Sequence, residues 1–202
     1  QVTRDDSGVL SRFIDPRWDG YLARLSPALF REKYEDRLPM TLRGAEFNKD
    51  HPVHFDPYTP VKDEVDYPVR KATRYAVEEN QRVKLFCEIL NSVSAPVPDR
   101  TLELLGELMY CAHAGYTDCG LGSEETDLIV NLVREQAGHD LFGAKITGGG
   151  AGGTVAVLGR DTEAAEKAIK EVVANYKKQT GVTPYIFSGT SQGSDAFGIL
   201  KI

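Results

Sequence analysis

The chain has 202 residues, 41% of them hydrophobic, which is enough for one sizeable domain or for a smaller domain with an extension. Its formal net charge of -6 and its lack of a basic cluster argue against a nucleic-acid backbone as the main partner. The three cysteines form no C-x-x-C pair, no apolar run approaches roughly 18 residues and no signal peptide opens the chain, so we expect no disulfide framework, zinc ribbon or membrane helix and predict a reducing cytoplasm.

Residues 1–66 form an irregular, charged and aromatic segment. Ser26 followed by Pro27 is typical of a helix start, and an apolar stripe then continues until Pro39. Beyond this helix the periodicity is lost. The chain also begins at Gln1 without an initiator methionine, which favours a piece of a longer polypeptide. We therefore predict that residues 1–66 link to, or pack on, another part of that polypeptide.

Three residues of this segment have side chains that can bind a metal ion, namely His51, His54 and Asp56. Pro52 and Pro57 prevent the regular helix that would place these side chains on one face. A catalytic zinc site also needs three well-placed protein ligands. We therefore predict no metal site here.

From Tyr67 onward the sequence has the period of a long amphipathic helix. Glu79 and Asn80 fall on or beside its apolar stripe, and a polar pair in that position usually hydrogen-bonds a neighbouring loop. We expect this structural role rather than a ligand contact. Pro96 and Pro98 then break the chain.

Two further helices are predicted before the central loop. Asp99 is expected to cap the first of them, and Gly115 to end or loosen it. His113 lies beside its apolar stripe, where we favour packing with a hydrogen bond over catalysis, because no carboxylate partner is visible in the sequence. Ser123 is expected to cap the second helix, and the carboxylates that follow it, including Asp127, complement the helix dipole without any chemistry.

The most distinctive stretch is a glycine loop between two short apolar runs, residues 144–147 and 154–158. This pattern predicts a strand, a loop and a second strand. A hairpin needs only two loop residues, whereas this loop has six, and five of them are glycine. We infer that its backbone approaches a ligand closely, with an anion held by successive N–H groups as the natural candidate and a plain hairpin tip as the alternative. The candidate site residues are Thr147, Gly148, Gly149, Gly150, Ala151, Gly152 and Gly153.

Two familiar glycine motifs do not fit this loop. The dinucleotide-binding fingerprint must open a helix, but the residues that follow, TVAVLG, are a β run. The phosphate loop of nucleoside triphosphatases needs a lysine where Thr154 stands. A second glycine-rich stretch, residues 189–194, also lacks a lysine and a following helix, so we interpret it as a hairpin connection.

The remaining elements complete the fold prediction. A fourth helix begins at Asp161 or Thr162 and ends at Gly181, and two strands follow at residues 185–188 and 197–201. Helices followed by β, β, α, β, β predict an α+β fold with helices packed on one face of a largely antiparallel four-stranded sheet. We assign this domain to residues 67–202.

The stretch TGGGAGG closely resembles the glycine-rich third motif of the GHMP kinases, the galacto-, homoserine, mevalonate and phosphomevalonate kinases. RYAVEENQRV, LGELMYCAHAGY and SEETDLIVNLV are similar to helices of galactokinase-like members. CGLGS, GAKITGGG and a closing IF-x-G-x-S-x-G are similar to the C-terminal part of L-arabinokinase-like members. The resemblance implies the ferredoxin-like C-terminal domain of this family, in which the loop shapes the cleft for nucleotide and sugar.

The same resemblance implies transfer of the ATP γ-phosphoryl group, with Mg²⁺, to the anomeric hydroxyl of a monosaccharide such as L-arabinose or D-galactose. In the family the serine- and glycine-rich phosphate loop, the Mg²⁺ ligands and the candidate base lie in the N-terminal half, and none is recognisable here. We therefore assign no catalytic residue, and expect an N-terminal kinase half as the partner, in the same polypeptide or as a separate chain. This chain alone is expected to fold without catalysing. The alternative is a non-catalytic module that binds a small ligand or regulates, and neither hypothesis involves nucleic acid or a membrane.

Overall fold

The computed structural model describes residues 2–4, 10–13, 15–52, 59–136, 138, 140–189, 196 and 198. The helices in these ranges are α1 (Pro27–Lys33), α2 (Gly44–Asp50), α3 (Val69–Ser92), α4 (Asp99–Asp118), α5 (Glu124–Glu135) and α6 (Glu163–Thr180), with 3₁₀ turns at Leu22–Arg24 and Glu35–Arg37. The strands form three antiparallel pairs in these ranges: β1 (Val2–Arg4) with β2 (Leu10–Phe13), β3 (Leu42–Arg43) with β4 (Asp66–Tyr67), and β5 (Leu141–Thr147) with β6 (Thr154–Gly159).

Side chains from residues 18–38, which include α1, pack against Val77 on α3. Ser26 caps α1 as predicted, since its hydroxyl accepts a hydrogen bond from the Leu29 N–H at 3.2 Å. The α-helix ends at Lys33, and a 3₁₀ turn carries the chain toward Pro39. The N-terminal cluster consists of buried Leu25, Phe30 and Val77 with partly buried Trp18, Leu29, Tyr34 and Leu38.

For the polar pair of α3, the predicted hydrogen bond to a neighbouring segment is confirmed at Asn80 but not at Glu79. Asn80 donates a hydrogen bond through Nδ2 to the carbonyl of Ala23, in the preceding 3₁₀ turn, at 2.5 Å. Glu79 forms an ion pair with Arg82 within α3. These contacts account for two polar residues beside an apolar stripe.

The main core lies between α4, α5, α6 and one face of the β5–β6 hairpin. Its buried members are Tyr110, Val130, Leu132, Val133, Leu141, Ala144, Ala165, Ala168, Val172 and Tyr176. The helix α4 meets β5 backbone to backbone, because a methyl group added at Gly106 would overlap the Phe142 carbonyl and one added at Gly143 would overlap the Gly106 backbone. Two glycines therefore set the closest approach between helix and sheet.

Several predicted helix boundaries are confirmed. The hydroxyl of Ser123 accepts the Thr126 N–H at 3.3 Å at the start of α5. The hydroxyl of Thr162 accepts the Ala165 N–H at 3.2 Å at the start of α6. Gly181 ends α6 in the left-handed conformation, with φ of 77°.

Two boundary predictions in α4 are wrong. Asp99 is the first helical residue and not the cap, which is Pro98, and its carboxylate instead accepts a hydrogen bond from Arg160 Nε at 3.1 Å. Gly115 neither ends nor loosens α4, which continues to Asp118. The reason is packing, because a methyl group at Gly115 would overlap the ring of Tyr75 on α3.

The α+β architecture with helices on an antiparallel hairpin agrees with the prediction, but a single four-stranded sheet is not formed by the described residues. Residues 185–188, predicted as a strand, have no strand conformation. Tyr185 and Phe187 are 78% and 68% exposed, so the apolar pattern of this segment does not reflect burial in a sheet. Of the last predicted strand, residues 197–201, only Gly198 is described.

Candidate functional site

The glycine loop closes the β5–β6 hairpin. Thr147 and Thr154 form the last cross-strand pair, and residues 148–153 connect the two strands. The predicted order of strand, glycine loop and strand is therefore confirmed. Because Thr147 is exposed while Ile146 is buried, the chain leaves the core at the mouth of the loop.

Most of the loop backbone lies in the left-handed region. The positive φ values are 87° at Gly148, 91° at Gly150, 59° at Ala151, 114° at Gly152 and 104° at Gly153. Such angles favour glycine, since a Cβ clashes with the backbone there. Gly149 is outside this region. Its glycine is thus not required by the backbone angle.

One side of the loop is anchored to the segment between α4 and α5. Tyr116 Oη donates a hydrogen bond to the Gly148 carbonyl at 2.9 Å. The Ala151 N–H donates to the Leu121 carbonyl at 2.7 Å. A Cβ at Gly150 would lie 2.7 Å from the Leu121 carbonyl oxygen. The close approach expected from the composition is therefore realised at Gly150 within the chain itself.

Both anchors belong to one turn at the C-terminus of α4. Gly120 has a φ of 76°, its N–H bonds to the Thr117 carbonyl at 3.0 Å, and the Leu121 N–H bonds to the Tyr116 carbonyl at 2.9 Å. This hydrogen-bond pattern is the Schellman motif, which fixes the backbone of residues 116–121. Sequence reasoning missed Tyr116 and Leu121 as loop anchors, because their role depends on tertiary contact; the available signal was a glycine just after the helical pattern.

The other side of the loop has few neighbours among the described residues. Within those residues, a Cβ built at Gly148, Gly149 or Gly153 would meet no atom within 4 Å, and one at Gly152 would meet only Ser123 Oγ, at 3.9 Å. Glycine at Gly149 therefore has no explanation in backbone angle or in neighbouring atoms of the described chain. A ligand or another part of a larger protein can approach the loop from this side.

His113 links α4, α5 and β5 beneath the loop. It is 8% exposed, its Nδ1 accepts the Ile146 N–H at 3.2 Å, and its Nε2 lies 3.1 Å from Asp127 Oδ1. The imidazole is thus neutral, with the proton on Nε2. Burial lowers the pKa of His113; Asp127 opposes this shift, whereas Arg134 and Lys145 reinforce it. The predicted packing role is confirmed, and Asp127 is the carboxylate partner that the sequence did not reveal.

Of the three possible metal ligands, only His51 lies within the described residues. The His51 ring packs against Phe47 with centroids 4.9 Å apart, whereas His54 and Asp56 lie outside the described residues. Within the described ranges, no three His, Cys, Asp or Glu side chains form a group that could hold a metal ion. Of the second glycine-rich stretch, residues 189–194, only Gly189 is described.

Two cavities lie elsewhere in the molecule. One, of about 510 Å³, is lined by residues including Glu107, Tyr110 and Arg134. The other, of about 550 Å³, is lined by residues of the N-terminal cluster such as Trp18 and Phe30. Neither of these two cavities is lined by a residue of the glycine loop. The described helices include none that is long and apolar enough to cross a membrane.

Comparison with known proteins adds independent evidence. The family model "GHMP kinases C terminal" matches residues 83–178. The chain is 40% identical over 189 residues to an L-arabinokinase of Arabidopsis thaliana, covering 90% of this chain and 18% of that protein. It is 37% identical over 115 residues to a galactokinase of Thermotoga petrophila, covering 56% of this chain and 30% of that protein. A galactokinase of Thermosipho africanus is 31% identical over 134 residues, with coverage of 65% and 34%.

The chain thus spans about a fifth to a third of the length of these relatives. The matched range includes α4, α5, the hairpin and most of α6, which are the elements that position the loop. Residues 83–178 therefore form a C-terminal domain of the GHMP kinase family.

Proposed function

We propose that this chain is the C-terminal domain of an ATP-dependent monosaccharide kinase, which transfers the γ-phosphoryl group to the anomeric hydroxyl of a sugar such as L-arabinose or D-galactose. The observation that carries the proposal is the glycine loop, anchored by the α4 turn on one side and with few neighbouring atoms of the described residues on the other. Similarity to an L-arabinokinase and to galactokinases supports a sugar as the acceptor. In this proposal residues 147–153 shape the cleft beside the nucleotide phosphates and the sugar.

The chemistry of the loop suits a phosphate group. Residues 147–153 carry no carboxylate, and backbone N–H groups stabilise negative charge. ATP supplies the phosphoryl group, and Mg²⁺ neutralises the phosphate oxygens during transfer. In keeping with the family resemblance, the proposal places the main Mg²⁺ ligands outside this chain.

The proposal also requires a second part of the enzyme. We assign the serine- and glycine-rich phosphate loop, the Mg²⁺ ligands and the catalytic base to an N-terminal kinase half, in the same polypeptide or in a partner chain. Residues 67–202 are then the C-terminal domain, and residues 1–66 link it to that half or pack on it. A cytoplasmic location belongs to the same proposal and is supported by three cysteines that form no disulfide.

Kinase assays with two polypeptides test this division of roles. We expect the complete protein to consume ATP in the presence of L-arabinose or D-galactose, and this chain alone to show no sugar-dependent turnover. Turnover by this chain alone, after removal of contaminating kinase, would refute the division. A complete protein without turnover on any sugar would refute the kinase and favour a non-catalytic binding or regulatory module. If the complete protein does turn over a sugar, titration calorimetry with a panel of sugars would identify the preferred acceptor.

A further inference from the structure

Tyr116 contacts the loop at the point where the chain leaves β5. We propose that Tyr116 is a positioning residue: its hydroxyl holds the Gly148 carbonyl against α4 and so directs the Gly149 N–H toward the open side, where an anionic phosphoryl oxygen binds. The identity of the anion rests on the proposed kinase function. The positioning itself is a property of this chain.

The peptide between Gly148 and Gly149 is held at its carbonyl by Tyr116. A trans peptide is planar, and its C=O and N–H point in opposite directions. Because Tyr116 Oη holds the Gly148 oxygen at 2.9 Å, the N–H of the same peptide, which belongs to Gly149, points away from α4. Among the described residues, no acceptor forms a hydrogen bond with the Gly149 N–H. The described part of the chain also leaves space around Gly149, since a Cβ there would meet none of its atoms within 4 Å.

The ring of Tyr116 is itself held in place. Tyr75 packs edge-on against it, with centroids 5.3 Å apart and an interplanar angle of 77°. The Lys145 ammonium lies 5.5 Å from the centre of the ring. The Tyr116 carbonyl accepts the Leu121 N–H in the turn that ends α4. A hydroxyl on a ring fixed in this way is a defined anchor point for the loop.

The hydrogen bond from the Ala151 N–H to the Leu121 carbonyl fixes a second peptide of the loop. At the next anchored peptide the Ala151 N–H faces Leu121, so the Gly150 carbonyl of that peptide points away from the anchor. If the peptide between Gly148 and Gly149 turned over, a second carbonyl would face the open side and would repel an anion. Lys145 Nζ donates a hydrogen bond to the Ile146 carbonyl at 2.9 Å and lies 5.5 Å from the centre of the Tyr116 ring, so a positive charge stands beside the ring that anchors the loop. The hydrogen bond from Tyr116 therefore decides whether a donor or an acceptor is presented.

The first experiment measures the loop in this 202-residue chain. Tyr116→Phe removes the hydroxyl and keeps the ring, while the control Tyr110→Phe removes a hydroxyl from the same helix at a residue that contacts Arg134. We expect lower backbone order parameters at Gly148 and Gly149 by ¹⁵N relaxation for Tyr116→Phe, with an unchanged melting temperature, and no change at the loop for Tyr110→Phe. Unchanged order parameters and amide shifts at Gly149 in Tyr116→Phe would overturn the proposal.

The second experiment measures ATP kinetics in the complete protein. Loss of one hydrogen bond that positions a donor is expected to raise KM for ATP about three- to tenfold in Tyr116→Phe. General destabilisation would lower kcat by reducing the folded fraction and leave KM unchanged. A loop that loosens with no change in KM would overturn the role of Tyr116 in binding. If the wild-type complete protein lacks kinase activity, the proposed function fails, and the relaxation experiment still decides whether Tyr116 positions the loop.

Discussion

At the scale of single residues, the loop glycines Gly149 and Gly150 have different requirements. Gly150 has a φ of 91° and lies against Leu121, so valine there should introduce local strain of about 1–3 kcal/mol. Gly149 has neither constraint, so Gly149→Val should change the free energy of unfolding by less than about 0.5 kcal/mol. Its added side chain projects into the open side, and we expect turnover of the complete enzyme to fall sharply. Denaturant unfolding and steady-state kinetics of both variants would check this.

The outcome separates two views of the loop. If Gly149→Val leaves kcat and both KM values, for ATP and sugar, at their wild-type levels, the loop is a hairpin tip without a ligand. Gly152, at a φ of 114°, is expected to behave like Gly150 in the unfolding measurement. The sequence alone grouped all three glycines, because composition does not reveal which of them adopt left-handed angles.

His113 makes stability depend on pH. Its pKa is lowered in the folded state, so below about pH 6.5 the unfolded chain binds more protons at this residue than the folded chain does. The contribution of the neutral imidazole is therefore fully present above about pH 6.5 and is lost as the pH falls through the lowered folded pKa. Protonation of Nδ1 would also break the hydrogen bond from the Ile146 N–H.

We expect His113→Asn to remove this pH dependence. The asparagine oxygen can accept the Ile146 N–H in place of Nδ1, but it does not titrate. The variant should be less stable than the wild type near pH 8, because it loses buried volume and the contact to Asp127, and should lose less stability on acidification. Urea unfolding between pH 5 and pH 8 measures both slopes. Parallel slopes for the two proteins would show that other groups cause the acid sensitivity.

At the scale of elements, the contact between α4 and β5 reverses the usual effect of replacing a helical glycine by alanine. Replacing glycine by alanine inside a helix normally stabilises it by up to about 1 kcal/mol. At Gly106 the added methyl group would overlap the Phe142 carbonyl, so Gly106→Ala should instead destabilise the chain by about 1–3 kcal/mol or more. At Gly115 the obstacle is the Tyr75 side chain, which can move, so the loss should be smaller. The free energies of unfolding of the two variants decide the point, and a more stable Gly106→Ala would contradict the backbone contact.

Most of the helices and several of their first residues could be predicted from the sequence, because the sequence patterns that indicate them are local. Apolar periodicity located α3 to α6, and the hydroxyls of Ser26, Ser123 and Thr162 located three helix starts. The failures concern tertiary neighbours. Gly115 was interpreted as a helix breaker because its partner Tyr75 is 40 positions away in sequence, and the segment at 185–188 was interpreted as a strand from its apolar residues, of which Tyr185 and Phe187 are exposed.

At the scale of the whole molecule, the loop and its supports come from segments that the sequence analysis treated separately. Tyr75 on α3, Tyr116 and the turn of α4, and Lys145 on β5 all meet near Gly148. The sequence predicted the glycine loop but not its anchors, since hydrogen bonds between side chain and distant backbone leave no periodic trace. The same limit applies to His113 and Asp127, which join two helices to the strand.

The position of the single tryptophan gives the chain a built-in optical reporter. Trp18 packs with the N-terminal cluster, against Tyr34 at 6.1 Å, whereas far-UV circular dichroism is dominated by the long helices α3 to α6. With only Leu25, Phe30 and Val77 buried in that cluster, we expect Trp18 fluorescence to change at a lower urea concentration than the helical signal. Coincident transitions would instead show that residues 1–66 and 67–202 unfold as one cooperative unit. Separate transitions would support the proposed division between residues 1–66 and residues 67–202.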